Sequence, residues 1–371
     1  MNIKDHIFGM TLKSVFRKKL RSGLTIFSII ISVMLLTSLL MVANGLETEY
    51  QQLGTGAGDF LILDRHAPDL MMSRVDMATE NAVENINGVY SVSAMTFSLT
   101  SLKDRPIVII NGVNPDEQAI KQFSIINGRT LQPDDKGKII IGRTISTGEG
   151  LDVGNTVYVH GSSFEIVGIY ETGTSFQDGG GVIPLNEAQS IFGIGNVVSM
   201  LSVYVEDLNQ LSDIRSTVEN RFPQLITLVG PEVAAQQQDI QLIQGISFLI
   251  ALIGIIMGSA VVMNTMIMSV MERTREIGIL RAIGWKKRKV ISMVLKEAFT
   301  ISIVGGILGI VLAIGVVNVL VQAVELPIPL SITANLVILI FLMIAIVSVL
   351  GGFYPAWRAS KMSPMEALSR G

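Results

Sequence analysis

The chain has no cysteine, which excludes disulfides and thiolate metal sites without fixing a compartment. Histidine is nearly as scarce. His6, His66 and His160 lie far apart and no HExxH occurs, so no zinc site is expected. Only 16% of the 371 residues are charged, against about 25% in an ordinary soluble domain. There is no Walker motif and no GxSxG. Gly54-Thr-Gly-Ala-Gly58 lacks the GxGxxG spacing and reads as a linker with no helix after it. Acids are spread thinly, which gives little basis for a paired-carboxylate hydrolase.

Charge is missing altogether from four long runs: 22–46, 240–271, 298–324 and 326–357. A helix needs about 20 apolar residues to cross a bilayer core. Transmembrane helices are therefore expected at 22–46, 240–271, 298–324 and 336–357. The first run has a basic leader, as a secretory signal would. Its 19-residue apolar core, Leu24–Val42, is too long for a signal, and no small-x-small cleavage site follows. It is expected to stay in place.

Lys and Arg orient the spans. Residues 1–21 carry six Lys/Arg and one acid, 272–297 carry eight and three, and 358–371 carry three and one. Residues 47–239 carry eleven Lys/Arg and 25 acids. The short turn at 325–335 has no Lys/Arg. The three basic segments are thus placed in the cytoplasm, and the acidic segment and short turn outside. The expected product is a multi-pass protein of the cell membrane with a large extracytoplasmic domain. Residues 1–21 also show helical apolar spacing, which predicts an amphipathic interfacial helix. The span cores hold no ionisable residue, which argues against ion-driven transport. Small residues recur four apart, as in Ser28/Ser32, Gly254/Gly258 and Gly305/Gly309. That spacing allows close helix packing.

The outer segment is long enough for its own core. β-type runs occur at 60–63, 91–102, 107–112, 139–141, 156–159, 164–170, 198–205 and 225–229, with helices expected at 76–86, 186–192 and 208–222. Residues 152–159 and 163–170 read as a strand pair in a small barrel or sandwich. Gly179–Gly181 reads as a flexible loop. Residues 232–244 contain no breaker and predict a helix running into the second span. With 47–53 it is expected to form a stalk. The fold class is a membrane protein: four transmembrane α-helices with a mixed α+β extracytoplasmic domain inserted between helices 1 and 2.

The cytoplasmic stretch 271–290 packs seven Lys/Arg into twenty positions. A topology anchor would need only the charge. Here Ile277, Leu280 and Ile283 are interleaved, and Gly278 and Gly284 break regularity on either side of a short piece. A helix, a break, a short helix and another helix would present a small knob to a partner.

Glu272-Arg-Thr-Arg-Glu-Ile-Gly-Ile-Leu-Arg-Ala-Ile-Gly284 resembles the signature of FtsX-like permeases of ABC transporters. The closing stretch 354–368, with Pro355-Ala and Pro364-x-Glu-Ala-Leu, is similar to that family's ending. Gly305-Gly-Ile-Leu-Gly309 fits too, and 152–168 resembles the outer domain of MacB-like exporters. The resemblance implies a non-catalytic permease homodimer that holds no cofactor. ATP would be bound by two copies of a cytoplasmic ABC ATPase. The ATPase-docking residues it implies are Glu272, Arg273, Arg275, Glu276, Gly278, Arg281, Ala282, Gly284, Lys286 and Lys287, in a coupling loop at 272–297. It implies mechanotransmission, in which ATP-driven motion reshapes the outer domain to export or extract hydrophobic or amphipathic substrate. The alternative it leaves open is an FtsX-like transmitter that regulates an extracytoplasmic partner without moving cargo. An extracytoplasmic accessory protein is compatible with both, and nucleic acid is not implied. The outer domain is smaller than in exporters that join an outer-membrane duct, so such docking is not implied.

Overall fold

The computed structural model describes residues 19–324 and 330–362, apart from residue 104. The interfacial helix expected at 1–21 and the tail at 358–371 lie mostly outside the described residues. Among those described, four helices are long and apolar enough to cross a membrane: Lys19–Gly56, Gln238–Glu272, Lys287–Val324 and Ala334–Lys361. The first three extend beyond their charge-free runs, and the fourth starts within its run and passes its C-terminal end. The third starts at Lys287, so Lys287–Glu297 form its first turns.

Two compact units are present. One contains the long helices up to Met41 and over Ile243–Leu320, with the fourth helix; the other spans Val42–Leu242. In the first unit, small residues set the helix contacts. A Cβ on Gly305 or Gly309 of the third helix would lie 2.8 Å from Ile29 or Val33 of the first. A Cβ on Gly351 of the fourth would lie 2.7 Å from Val262 of the second. Thr25 and Thr265 share a buried hydroxyl–hydroxyl bond of 2.6 Å. Lipid tails are as apolar as leucine, so close packing and such bonds hold these helices together.

The outer unit contains β1 (Phe60–Asp64), β2 (Val75–Asp76), β3 (Val89–Leu102), β4 (Arg105–Val113), β5 (Ser124–Gly128) and β6 (Lys138–Gly142). It continues with β7 (Thr156–Val159), β8 (Ser162–Glu171), β9 (Gly181–Pro184), β10 (Val197–Val198), β11 (Met200–Val205) and β12 (Leu225–Leu228). Ten strands form one mixed sheet in the order β12-β1-β11-β3-β4-β9-β6-β8-β5, with β7 paired to β8. The pairs β4–β9 and β6–β8 are parallel. The expected barrel or sandwich is therefore corrected to one ten-stranded sheet, beside which β2 and β10 form a separate two-stranded sheet. Alternation along the strands explains it. Leu61, Leu63, Met95, Phe97 and Ile109 face one core, while Phe60, Ile62, Val92 and Ala94 face another. Helices cover both faces, and the two-stranded pair of β2 and β10 adds Val75 and Val198 to the second core. Ile214 and Val218 of helix Leu211–Arg221 join the second core. Tyr50, Leu53, Val233, Ala234 and Ile240 join the first.

Four further expectations change. The 54–58 linker is helical as far as Gly56, because Gly54 has no Cβ to strike Val233 and Gly230, which would lie 2.7 and 2.8 Å away. Gly181 opens the fully buried strand β9 instead of sitting in a flexible loop. A Cβ there would come within 2.9 Å of Ile139. The helix expected through 232–244 breaks at Gln237, which has φ −71° and ψ 120°. The Gln237 amide oxygen accepts from Leu70 N at 2.9 Å, and Gln238 N donates to Pro68 O at 2.9 Å. These tertiary bonds replace the helical ones. Lastly, the strand expected at 198–205 divides at Ser199, whose hydroxyl accepts from Phe97 N at 3.0 Å.

Burial, with Glu117 and Glu84 nearby, pushes the Glu80 carboxyl from 4.5 up to about 7. A carboxyl raised by folding favours the folded state only when protonated. Its contribution is complete below its ordinary value and is lost as pH rises through the folded value. Thermal melts should show the outer unit less stable at about pH 8 than at about pH 5, and Glu80→Gln should flatten that difference. An equal drop in the variant would contradict the assignment.

Candidate functional site

The cationic stretch closes the second long helix and opens the third. Arg273, with φ −106° and ψ 16°, separates Gln238–Glu272 from a short helix, Thr274–Ala282. The Thr274 hydroxyl donates to Met271 O at 2.8 Å. Glu297, buried on the third helix, accepts from Ser269 Oγ at 3.3 Å and lies 3.4 Å from the Arg273 guanidinium. A buried carboxylate needs such partners. Here they clamp the end of the second helix to the third.

The short helix ends in a Schellman motif. Trp285 N donates to Leu280 O at 3.0 Å, and Gly284 N to Arg281 O at 3.1 Å. Gly284 has φ +99°, the left-handed geometry that glycine supplies without strain. No neighbouring atom lies within 4 Å of where its Cβ would be, so conformation alone selects glycine. Arg281 Nη1 donates to Trp285 O at 2.8 Å and braces the turn. The Lys289 ammonium lies 5.6 Å from the Trp285 ring.

Of the sequence-derived candidates, Glu272, Arg275, Glu276, Ala282, Gly284, Lys286 and Lys287 are exposed. Arg273 and Arg281 are half-buried in the bonds just described. Gly278 is buried inside the short helix and interrupts nothing, so its expected role as a breaker is corrected. Of the interleaved apolar residues, Ile283 is 74% exposed whereas Ile277 is buried, and Ile279, which the sequence reading does not single out, is 42% exposed, four residues before Ile283. Their four-residue spacing was the available signal.

The outer unit holds the other ends of the first two long helices. The Tyr50 hydroxyl donates to Asp239 Oδ2 at 3.4 Å, and the Tyr50 ring meets Phe176 edge-on at 5.7 Å. The buried Glu49 carboxylate accepts from Ser175 N at 2.8 Å and Phe176 N at 3.2 Å. Among the described residues, no cluster of three His, Asp or Glu is placed to hold a metal.

The family profile described as FtsX-like permease C-terminal matches residues 248–364, and the MacB-like periplasmic core domain profile matches 22–221. The chain belongs to the MacB- and FtsX-like permeases of ABC transporters. It is 27% identical to a macrolide export ATP-binding/permease protein MacB of Bdellovibrio bacteriovorus, with 94% of this chain and 59% of the relative covered. It is 28% identical to the ABC transporter permease YknZ of Bacillus subtilis, with 99% of each covered. The extracellular domain of YknZ aligns at TM-score 0.37 and 19% identity, over 46% of this chain and 98% of that domain. The periplasmic region of MacB from Actinobacillus actinomycetemcomitans aligns at TM-score 0.40 and 14% identity, over 49% and 92%. Like other permeases of this family, the chain is a multi-pass membrane protein with a large extracytoplasmic domain.

The turn yields a direct expectation. Gly284→Val forces a β-branched residue into left-handed geometry at roughly 1–2 kcal/mol, so amide exchange at Trp285 should quicken about tenfold. Gly284→Asn should change it less. Unaltered exchange in the valine variant would refute the motif's dependence on glycine.

Proposed function

We propose that this chain is the permease subunit of a MacB-like ABC transporter that works by relaying motion. Two copies of a separate cytoplasmic ATPase dock on a permease homodimer, at the short helix Thr274–Ala282 and the turn through Gly284 to Lys287. ATP is held by the ATPase, and this chain carries no cofactor. Closure of the ATPase displaces the docked knob. The second long helix passes that displacement to the outer domain, whose change of shape exports or extracts hydrophobic or amphipathic substrate.

One observation carries this reading. Gln238–Glu272 is a single unbroken helix of 35 residues, about 52 Å at 1.5 Å per residue. At one end Ile240 is buried in the outer domain's core. At the other, Arg273 links it to the short helix with the exposed Ile279 and Ile283. Its backbone hydrogen bonds resist stretching, so the rod moves as a piece.

Ile283→Glu should weaken recovery of the ATPase with the tagged permease by ~30-fold, about 2 kcal/mol for an apolar anchor. Glu276→Lys should also reduce it. Membrane insertion should be normal in both variants, and undiminished recovery in both would remove the docking assignment. Glu49→Gln tests the outer attachment. It should keep the ATPase bound but shrink the ATP-dependent distance change between spin labels at positions 158 and 208. These sites are exposed, and the chain has no native cysteine to compete. A full-sized change would show that the Glu49 contact is not part of the relay. Vesicles holding both proteins should lose a bound hydrophobic probe when ATP is added.

A further inference from the structure

Between the cytoplasmic halves of the third and fourth long helices lies a groove of about 370 Å³. Its wall is built from two rows on the third helix. Arg288, Ser292 and Lys296 follow one another at four-residue steps, and Ile291, Leu295 and Phe299 form a parallel apolar row. Val349 of the fourth helix, 53% exposed, faces the same space. The polar row stops at Lys296, and the charge-free run begins at Ala298. The groove's cations therefore lie outside the charge-free run, while the apolar row beside them continues into it at Phe299.

Among the described residues the two cations have no anionic partner. Neither Arg288 nor Lys296 forms an ion pair with any described residue. The acid next in sequence, Glu297, is buried and bound to Arg273 and Ser269. Arg288 and Lys296 lie two turns apart on one face, about 12 Å along the axis. Both side chains are long enough to reach a group held between them, and Ser292, also exposed, lies between them in the same row with a hydroxyl that can donate. One phosphodiester suits this cradle, and an acyl chain suits the row leading to Phe299.

We propose that this groove binds one anionic phospholipid of the cytoplasmic leaflet. Its phosphate rests on Arg288, Ser292 and Lys296, and a chain lies along Leu295, Phe299 and Val349. A zwitterionic lipid would leave the net positive charge of the site unmatched, so the site selects for negative headgroups. The inference needs only the membrane placement of the helices and does not depend on ATPase docking.

The test uses the full chain, delipidated in detergent and titrated with phosphatidylglycerol or phosphatidylcholine under native mass spectrometry. One phosphatidylglycerol per chain should be retained in preference to phosphatidylcholine. The double variant Arg288→Gln/Lys296→Gln should bind it more than tenfold more weakly, whereas Lys286→Gln/Lys287→Gln, with the same loss of charge, should change binding less than twofold. Should the first variant fail to fold, a photoactivatable phosphatidylglycerol on the native chain gives the same answer, with labels expected in 288–299 and around Val349. Equal binding of the neutral lipid, equal weakening by both double variants, or labelling elsewhere would overturn the proposal. So would a cross-linker at position 299 joining two copies of the chain or the ATPase, because the groove would then be a protein interface.

Discussion

The structure depends on one constraint: a backbone in hydrocarbon must satisfy its own hydrogen bonds. Only an unbroken helix does this along a single segment. The first three long helices run 38, 35 and 38 residues, whereas about 20 suffice for the bilayer core. The excess turns carry the rods well beyond the apolar zone. Continuity that lipid enforces in the middle is thereby available as stiffness at both ends. Close helix contacts follow from the same solvent. Where water cannot drive apolar surfaces together, backbones approach through Gly305, Gly309 and Gly351, and Thr25 finds Thr265.

At the outer end the helices are not merely tethered to a domain. Tyr50, Leu53 and Ile240 belong to the core that covers one face of the sheet, together with Leu61, Met95 and Phe97. Close-packed interiors transmit displacement because they hold no slack. Glu49 adds a directional bond by capping the turn at Ser175 and Phe176. That turn leads into β9, which pairs with β4 and β6 in the middle of the sheet. The first helix end is thus joined to central strands through few intermediates.

Much of this was legible in the sequence because it arises from local periodicity. The four long apolar runs, the short apolar run at 60–63, the alternation in 91–102, and the helical spacing of 208–222 need no distant partner to be recognised. The hairpin of β7 and β8 is equally local: His160 and Gly161 both take positive φ at its turn. What escaped reading depends on distant residues. The break at Gln237 comes from bonds to Pro68 and Leu70. The helical state of 54–56 depends on the room Gly230 leaves. Gly181 is buried because Ile139 and Ile110 close over it. In the loop, charge drew attention to the polar residues. The fold shows that the outward face also carries Ile279 and Ile283.

Those two isoleucines bear on what the loop is for. Lys and Arg suffice to hold a segment on the cytoplasmic side, and such an anchor has no need of a defined shape. This loop has one at every step. Glu297 fixes where the second helix stops, Ile277 and Gly278 turn one face of the short helix inward, and Gly284 ends it in a specific geometry. The product is a rigid turn that holds Ile283 74% exposed. A large exposed apolar side chain on a braced, glycine-terminated knob gains nothing from water. It fits the ATPase-docking role proposed above for this loop, and the ABC permease family implies such an ATPase partner.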